Sequence, residues 1–204
     1  MIVNDVGYSG RRPDGGNVRT ITLLAAGAFF AGSLYAMVGP TDLDSLVGHA
    51  DRIVIGTTIG IIEIDSTKIA KVHIERYITK AEKHDTVFIL AQPTWQCDIS
   101  DAKVGERCLW FLEDMTSRLT RKERKAFFQG RPYNKIEYHG RGRMPFRTVD
   151  GRDYVTLWTG DIVLPDTVKT IPGPDRSYDF IRSVLYDDMV KAVEGCLPRK
   201  KRMQ

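Results

Sequence analysis

A long β-rich run that is broken by two glycines constrains the fold of this chain more than any other segment. After Asp51 and Arg52, residues 53–64 read Ile-Val-Ile-Gly-Thr-Thr-Ile-Gly-Ile-Ile-Glu-Ile. Gly56 and Gly60 stand inside this run, and a glycine within a strand marks a bulge or the sharp bend of a barrel corner. The run therefore predicts the long, coiled first strand that a small closed barrel requires.

The segments that follow have the patterns of an antiparallel sheet. Along residues 70–78 an apolar face (Ala70, Val72, Ile74, Ile78) alternates with a polar face that carries Lys71, His73, Glu75 and Tyr77. We expect further strands at residues 86–91, 106–112, 146–149 and 154–158, and Asp150-Gly151 joins the last two as a hairpin turn. The chain is therefore predicted to be mainly β.

Short helices are predicted at both ends of this β-rich region. Thr41 and Asp44 have the spacing of a capping box, and apolar residues follow at spacings of three and four. Residues 176–194 predict a C-terminal amphipathic helix with the apolar stripe Phe180, Ile181, Val184, Leu185, Met189 and Val193. We predict a single domain over residues 41–196, followed by a basic tail at residues 197–204.

The N-terminal region predicts that the protein is located outside the cytosol. Residues 21–38 contain no charged side chain, and Arg19 precedes them. A basic start followed by an apolar run is typical of a signal peptide, whereas a run of this length also reaches the lower limit of a membrane-spanning helix. Residues 1–40 are therefore predicted to be a cleaved signal or an uncleaved anchor, with a buried core helix as a third interpretation. The protein is expected to be periplasmic or extracellular, with membrane contact only through residues 21–38.

The positive charge of the chain is concentrated in two places. The whole sequence carries +4, the tail residues Arg199–Arg202 contribute +4, and residues 116–147 hold ten basic and two acidic side chains. Such a segment is either a solvated loop or hairpin, or a surface that binds polyanions. The candidate polyanion-binding residues are Arg118, Arg121, Lys122, Arg124, Lys125, Arg141 and Arg143. Because the protein is expected to be exported, an anionic envelope component is favoured over nucleic acid.

Three cysteines complete the candidate residues. Cys97 and Cys108 flank a turn-like stretch, so they form either a hairpin disulfide or two packed strand thiols. Cys196 would then be a free thiol or an intermolecular bridge.

A resemblance to a known family arises in residues 42–112. Leu43-Asp-Ser-Leu-Val47, Ile53-Val54, Lys71–Glu75 and Gly105-Glu-Arg-Cys-Leu-Trp-Phe-Leu112 resemble netrin-like domains. These are the OB-fold barrels that include the tissue inhibitors of metalloproteinases, and the form here is similar to exported bacterial proteins of unassigned function. The resemblance implies a small antiparallel OB-like barrel. The inhibitors chelate zinc through an N-terminal Cys-x-Cys, but residues 1–96 contain no cysteine, so no functional residue is carried over.

No catalytic, metal-binding or cofactor motif emerges from the rest of the sequence. The four histidines lack ligand spacing, His73 and Glu75 are expected to be a solvated pair, and there is no Gly-x-Ser-x-Gly or phosphate-binding glycine loop. We therefore expect no cofactor and, as the first hypothesis, a non-enzymatic binding module of the cell envelope whose partner is an unknown protein or an anionic component. The alternatives are a tethered OB-fold binder of nucleic acid or polyanions, and a small exported hydrolase in which His139 meets a cysteine or a carboxylate in one cleft.

Overall fold

The computed structural model describes residues 39–79, 81–93, 98–175 and 177–198. Within them the chain is mainly β and has a closed five-stranded barrel. The strands are β1 (Thr41–Asp42), β2 (Arg52–Ile64), β3 (Thr67–Tyr77), β4 (Thr86–Leu90), β5 (Arg107–Asp114), β6 (Tyr133–Ile136), β7 (Arg143–Val149), β8 (Arg152–Trp158), β9 (Ile162–Val163), β10 (Thr170–Pro172) and β11 (Ile181–Leu185). The helices are α1 (Leu43–His49), α2 (Arg121–Phe128) and α3 (Tyr186–Cys196), with a 3₁₀ turn at Thr116–Arg118.

The barrel has the strand order of an OB fold, which confirms the predicted fold class. Around the barrel the order is β2-β3-β4-β6-β5, and β5 pairs again with β2 to close the ring. All neighbours are antiparallel except β4 and β6, which run parallel. Its interior is filled by apolar side chains from every barrel strand, among them Val54, Val72, Ile89, Trp110 and Ile136.

Both glycines of the first strand lie where the sequence predicts a bend. The register between β2 and β3 shifts at Ile55/Gly56 and again at Thr58/Gly60. At Gly56 a Cβ would stand 2.5 Å from the carbonyl oxygen of His73, so only glycine allows the two strands to approach this closely. The bulges let β2 curve around the barrel and pair with both β3 and β5.

Strand β5 joins the barrel to a second layer. Cys108, Trp110 and Leu112 point into the barrel, whereas Leu109 and Phe111 point into a separate core. Beyond β5 the sheet continues through β7, β8, β11 and β10, and helices α1 and α3 contribute to the second core. Since both faces of β5 are buried, its nearly continuous apolar sequence is explained.

A short helix forms at Leu43–His49, and its cap differs from the prediction. Asp42, rather than Thr41, is the N-cap, and its carboxylate accepts a hydrogen bond of 2.6 Å from the Ser45 N–H. Thr41 instead belongs to β1, which pairs with β9 in parallel. Tertiary pairing has moved the helix start by one residue.

The predicted helix over residues 176–194 is wrong in its first half. Residues 181–185 form β11, and the helix runs only from Tyr186 to Cys196. Ile181, Val184 and Leu185 fit helical spacing, but β8 offers a free edge that pairs with all five residues of β11. Residues 181–185 have a local preference for helix, but the backbone hydrogen bonds to β8 are more favourable than this preference. Long-range pairing therefore decides the structure of the segment.

Arg52 holds the barrel together at its closing seam. Its Nη1 donates to Asn134 Oδ1 at 2.8 Å, its Nη2 to Asp114 Oδ2 at 2.9 Å, and its Nε to Glu82 Oε1 at 2.7 Å. Asn134 is fully buried and its amide donates to the carbonyl oxygen of Phe88, so the network joins β2, β5, β6 and β4. Partial burial alone would raise the pKa of Asp114, but the hydrogen bonds from Arg52 and Thr116 hold it below its ordinary value.

Replacing Arg52 is therefore expected to weaken the whole domain. In Arg52→Met the buried Asn134 Oδ1 and the half-buried Asp114 Oδ2 lose the guanidinium that donates to them, and we expect the free energy of unfolding to fall by about 3 kcal/mol. Urea unfolding followed by circular dichroism measures this loss. The matched control is Arg76→Met, since Arg76 also binds two side chains but is half exposed, as is its partner Glu194. The control should lose about 1 kcal/mol or less, and equal losses in both variants would contradict the role of Arg52.

Candidate functional site

The basic segment is neither a loop nor a simple hairpin, because it contains the helix α2. Thr120 and Glu123 form a capping box: the Glu123 N–H donates to Thr120 Oγ1 at 3.2 Å, and the Thr120 N–H donates to Glu123 Oε2 at 2.7 Å. The helix ends at Gln129 and Gly130, both in the left-handed region. The motif Thr120-x-x-Glu123 was a sequence signal for this helix that our sequence analysis missed.

Helix α2 lies on the outer face of the barrel and is held there by one aromatic residue. Phe128 is 3% exposed, its ring stacks on Tyr133 at 4.8 Å, and it meets Phe88 edge-on at 5.3 Å. Tyr133 and Phe88 belong to the parallel strands β6 and β4. The position of the helix is therefore set by the strand pair that closes the barrel.

The free cations of the basic segment are concentrated on α2. Arg121, Lys122 and Lys125 are exposed, and in the described part of the chain none of them forms an ion pair. Arg121 and Lys125 are one turn apart, so they lie on the same side of the helix. Arg124 is half-buried, and its Nε finds no hydrogen-bond partner among the described residues.

This arrangement is unfavourable for the helix itself. Positive side chains in the first turn oppose the helix macrodipole, and like charges at a spacing of four repel each other by a few tenths of a kcal/mol. The one acidic side chain of α2, Glu123, is already bonded to Thr120, and those hydrogen bonds lower its pKa. A helix surface that keeps such unfavourable charges at a cost in stability is a candidate for function.

Most of the other basic residues of the segment have carboxylate partners, and Arg147 instead donates to the carbonyl oxygen of Pro172. Arg118 is exposed and pairs with Glu113 at 3.3 Å, and Lys135 pairs with the same Glu113 at 2.6 Å. Arg131 pairs with Asp85. These pairs neutralise much of the charge that the sequence places in residues 116–147.

Two predicted polyanion ligands, Arg141 and Arg143, serve the fold instead of an exposed surface. Arg141 is 7% exposed, its Nε lies 2.7 Å from Asp161 Oδ2, and its Nη1 donates to the carbonyl oxygen of His139. Arg143 on β7 binds Glu106 at 2.6 Å. The structure thus groups Arg121, Lys122, Arg124 and Lys125 on one helix, with Arg118 just before it, and places Arg141 and Arg143 in internal ion pairs.

One aromatic side chain on α2 faces solvent. Phe127 is 45% exposed and touches only the edge of Phe128 among the ring pairs of the described residues. The other aromatic residues of the basic segment are half-buried or buried. An exposed phenylalanine beside three unpaired cations gives α2 both apolar and positive character.

A second candidate site is a pocket at the end of the barrel. It has a volume of about 380 Å³ and is lined by Leu90, Asp98, Ser100, Lys135, Ile136, Glu137, Tyr138 and His139. Burial, together with repulsion from Glu113, raises the pKa of Glu137 above its ordinary value, although Lys135 opposes the shift. These residues come from separate stretches of the sequence, namely Leu90 at the end of β4, residues 98–100, and residues 135–139, and only the fold brings His139 into one cleft with carboxylates.

The turn that presents His139 is held in an unusual conformation. Tyr138, His139 and Gly140 all have positive φ, at 53°, 52° and 85°. At Gly140 a Cβ would stand 2.3 Å from the backbone of Ile99 and Ser100, so the turn packs directly on the other loop of the pocket. The Ile99 N–H also donates to the carbonyl oxygen of His139 at 3.0 Å. Left-handed backbone at two residues other than glycine persists only where the surroundings impose it.

The predictions for the cysteines and for the pair His73 and Glu75 have different outcomes. Cys108 is a free thiol, fully buried in the barrel core, and burial raises its pKa. Its expected partner Cys97 lies outside the described residues, and Cys196 is half-buried. His73 and Glu75 are exposed as predicted, and Glu75 accepts hydrogen bonds from Thr57 and Arg107.

The described residues contain neither a metal-ligand cluster nor a membrane-spanning helix. No cluster of three or more histidine, cysteine, aspartate or glutamate side chains suited to a metal occurs in the described ranges. Across the same ranges, no helix combines the length and the hydropathy needed to cross a membrane. The predicted signal or anchor at residues 21–38 and the basic tail from Arg199 onward lie outside them.

The chain matches none of the models of protein families, and a search of the curated proteins finds no match.

Proposed function

We propose that this protein is an exported binding module of the cell envelope, in which an OB-like barrel presents helix α2 to an anionic partner. The observation that carries the proposal is the group of exposed cations Arg121, Lys122 and Lys125, which form no ion pair within the described residues. We define these three residues as the α2 basic patch.

Electrostatics favour a polyanion as the partner of the α2 basic patch. Each contact between a cation and an anionic polymer releases a counterion, so several adjacent cations bind more strongly than isolated ones. The helix is fixed to the barrel through Phe128, so the patch pays little conformational cost on binding. Acidic polysaccharides and anionic lipid headgroups share the chemistry that this patch would recognise.

Export is the second part of the proposal and rests on the sequence alone. The uncharged residues 21–38, preceded by Arg19, support a signal peptide or an anchor. The netrin-like pattern of residues 42–112 is compatible with an exported OB-like domain and is itself proposed, as a family resemblance. Nucleic acid stays an alternative partner, since OB folds bind single strands through positive grooves and stacking aromatics.

Neutralising the α2 basic patch is expected to abolish most polyanion binding. The variant Arg121→Gln/Lys122→Gln/Lys125→Gln should bind dextran sulfate more weakly, and the negative slope of log K against log salt should become shallower by about 2, if each cation contributes as it does with single-stranded nucleic acid. Titration calorimetry at several salt concentrations measures both quantities.

A matched control separates the patch from net charge. Arg152, Lys169 and Lys191 are also exposed and form no ion pair among the described residues, so their triple replacement by glutamine removes the same charge elsewhere. This control should keep binding and slope close to those of the wild type. Equal loss in both triple variants would contradict a localised site, and tighter binding of single-stranded DNA than of dextran sulfate at equal salt would favour the nucleic-acid alternative.

Export is tested independently of binding. Residues 1–40 fused to alkaline phosphatase should give an active enzyme outside the cytosol, because that enzyme needs an oxidising compartment for its disulfides. Replacing Leu23 and Leu24 by arginine interrupts the apolar run and should abolish the activity. Retention of the unaltered fusion in the cytosol would contradict the proposed localisation.

A second candidate function, a small hydrolase, is favoured by the pocket that holds His139. Ser100 is 7% exposed and lines the same pocket, together with the carboxylates Asp98 and Glu137. A serine hydroxyl with a histidine base and a carboxylate is a recurrent set for nucleophilic catalysis.

The hydrolase candidate predicts a specific pattern of activity. If the chain hydrolyses p-nitrophenyl acetate, Ser100→Ala and His139→Ala should each lower the rate by about a hundredfold or more, and the double variant should lose little beyond that. His73→Ala, on the exposed strand face, serves as the control. A rate no greater than that of the buffer, or one unchanged in Ser100→Ala, would reject this candidate.

A further inference from the structure

Three aromatic rings form a continuous cluster on the second layer. Trp158 ends β8, and Phe180 immediately precedes β11, whose first residue Ile181 pairs with Trp158. The ring centroids of Trp158 and Phe180 are 5.3 Å apart, and those of Phe180 and Tyr178 are also 5.3 Å apart. The rings are tilted by 41° and 49°, so they form a twisted row rather than a flat stack. We call these three residues the aromatic platform.

Much of the platform faces solvent. Tyr178 is 48% exposed and Phe180 is 41% exposed, while Trp158 is half-buried. Apolar surface that a fold could have buried, and that is instead grouped in one place, commonly marks a binding site. Among the described residues, the platform is the ring cluster in which two members are exposed.

A polar pocket borders the platform. It has a volume of about 370 Å³ and is lined by Pro172, Gly173, Asp175, Tyr178, Asp179, Ile181 and Arg182. Asp175 and Asp179 supply acceptors, and Arg182 supplies donors beyond the Nε that already binds Thr170 Oγ1 at 3.3 Å. In the described ranges, these three side chains form no ion pair.

The pocket wall is positioned before any ligand arrives. The Gly173 N–H donates to the carbonyl oxygen of Ile181 at 2.9 Å, and a Cβ at Gly173 would stand 2.5 Å from that oxygen. On the other side, the Thr159 N–H donates to the carbonyl oxygen of Phe180 at 2.8 Å. Both ends of the segment that carries Tyr178 are therefore attached to strands, which limits the entropy lost on binding.

From this arrangement we propose that the aromatic platform and its pocket bind a neutral oligosaccharide. A sugar ring has an apolar face of C–H groups that packs on aromatic rings, and hydroxyl groups at its rim that both donate and accept hydrogen bonds. The platform supplies the ring faces, and Asp175, Asp179 and Arg182 supply acceptors and donors.

The charges argue for a neutral ligand rather than an ionic one. The carboxylates of Asp175 and Asp179 line the same pocket as Tyr178. They therefore repel a polyanion of the kind proposed for α2. A cationic ligand meets the guanidinium of Arg182 in the same pocket. The site therefore goes beyond the α2 basic patch and is independent of it.

Titration of the full chain with soluble oligosaccharides tests the proposal. The probes are the tetramers of β-1,4-linked glucose and of β-1,4-linked N-acetylglucosamine, and binding is followed by calorimetry and by tryptophan fluorescence. We expect saturable binding of at least one tetramer that changes little with salt, in contrast to the binding of dextran sulfate. Tyr178→Ala and Phe180→Ala should each weaken it by about tenfold or more, whereas Tyr178→Phe should retain most of it because the ring remains.

Two controls make the result decisive. Ile59→Ala removes another exposed apolar side chain, from β2, and should bind as the wild type does. Circular dichroism and urea unfolding establish that each variant is folded. Absence of binding by both tetramers, or binding that survives both Tyr178→Ala and Phe180→Ala, overturns the proposal. Self-association that Tyr178→Ala abolishes, without any sugar binding, also overturns it and identifies the platform as an interface between copies.

Discussion

The architecture depends on how the parallel strands β4 and β6 are held together. A small barrel closes only when its last strand finds a partner, and here β6 has only four residues to do so. Arg52 reaches across from β2 and binds Asn134 on β6 and Asp114 on β5, while Asn134 binds the backbone of β4. A guanidinium suits this position, because its planar fork carries several donors in fixed directions and can bond three elements at once. Partial burial strengthens the hydrogen bonds of the Arg52 network, and each of its side chains has a hydrogen-bond partner.

The candidate surface on α2 is a consequence of that closure. Phe128 packs on Tyr133 and Phe88, which stand side by side only because β6 pairs with β4. Anchoring the helix by one buried ring leaves its remaining faces in solvent, so the cations and Phe127 are displayed rather than packed. In OB folds the outer face of the barrel is commonly used for binding, and here a helix covers part of it and supplies the exposed groups.

Strand β5 couples this barrel to the rest of the chain. Trp110 points into the barrel and donates from Nε1 to the carbonyl oxygen of Gly56 at 3.1 Å, whereas Leu109 and Phe111 support the second layer. The aromatic platform lies on the second layer, where the end of β8 meets the start of β11. The α2 basic patch lies on the barrel, and the strands of the two parts form one continuous sheet. Arg141 links the layers chemically, since it pairs with Asp161 and faces Trp158.

Much of the barrel was predictable because its signals are local. The glycines of β2, the alternation of β3 and the Asp150-Gly151 turn each encode a backbone geometry within a few residues. Other elements were missed because their signals are short or ambiguous. Strand β6 has only four residues inside a charged segment, and residues 181–185 fit a helix as well as a strand until β8 offers its edge.

The amino-acid sequence alone indicates that the chain is mainly β, where its bulges and hairpin lie, and that its charge is concentrated in residues 116–147. Which of those charges are free depends on the folded arrangement of the chain. Arg141 and Arg143 meet carboxylates that are distant in sequence, whereas Arg121, Lys122 and Lys125 meet none within the described residues. The sequence specifies which side chains are charged, whereas strand pairing brings each charge to its partner or leaves it without one. The availability of a cation for binding therefore depends on which strands pair.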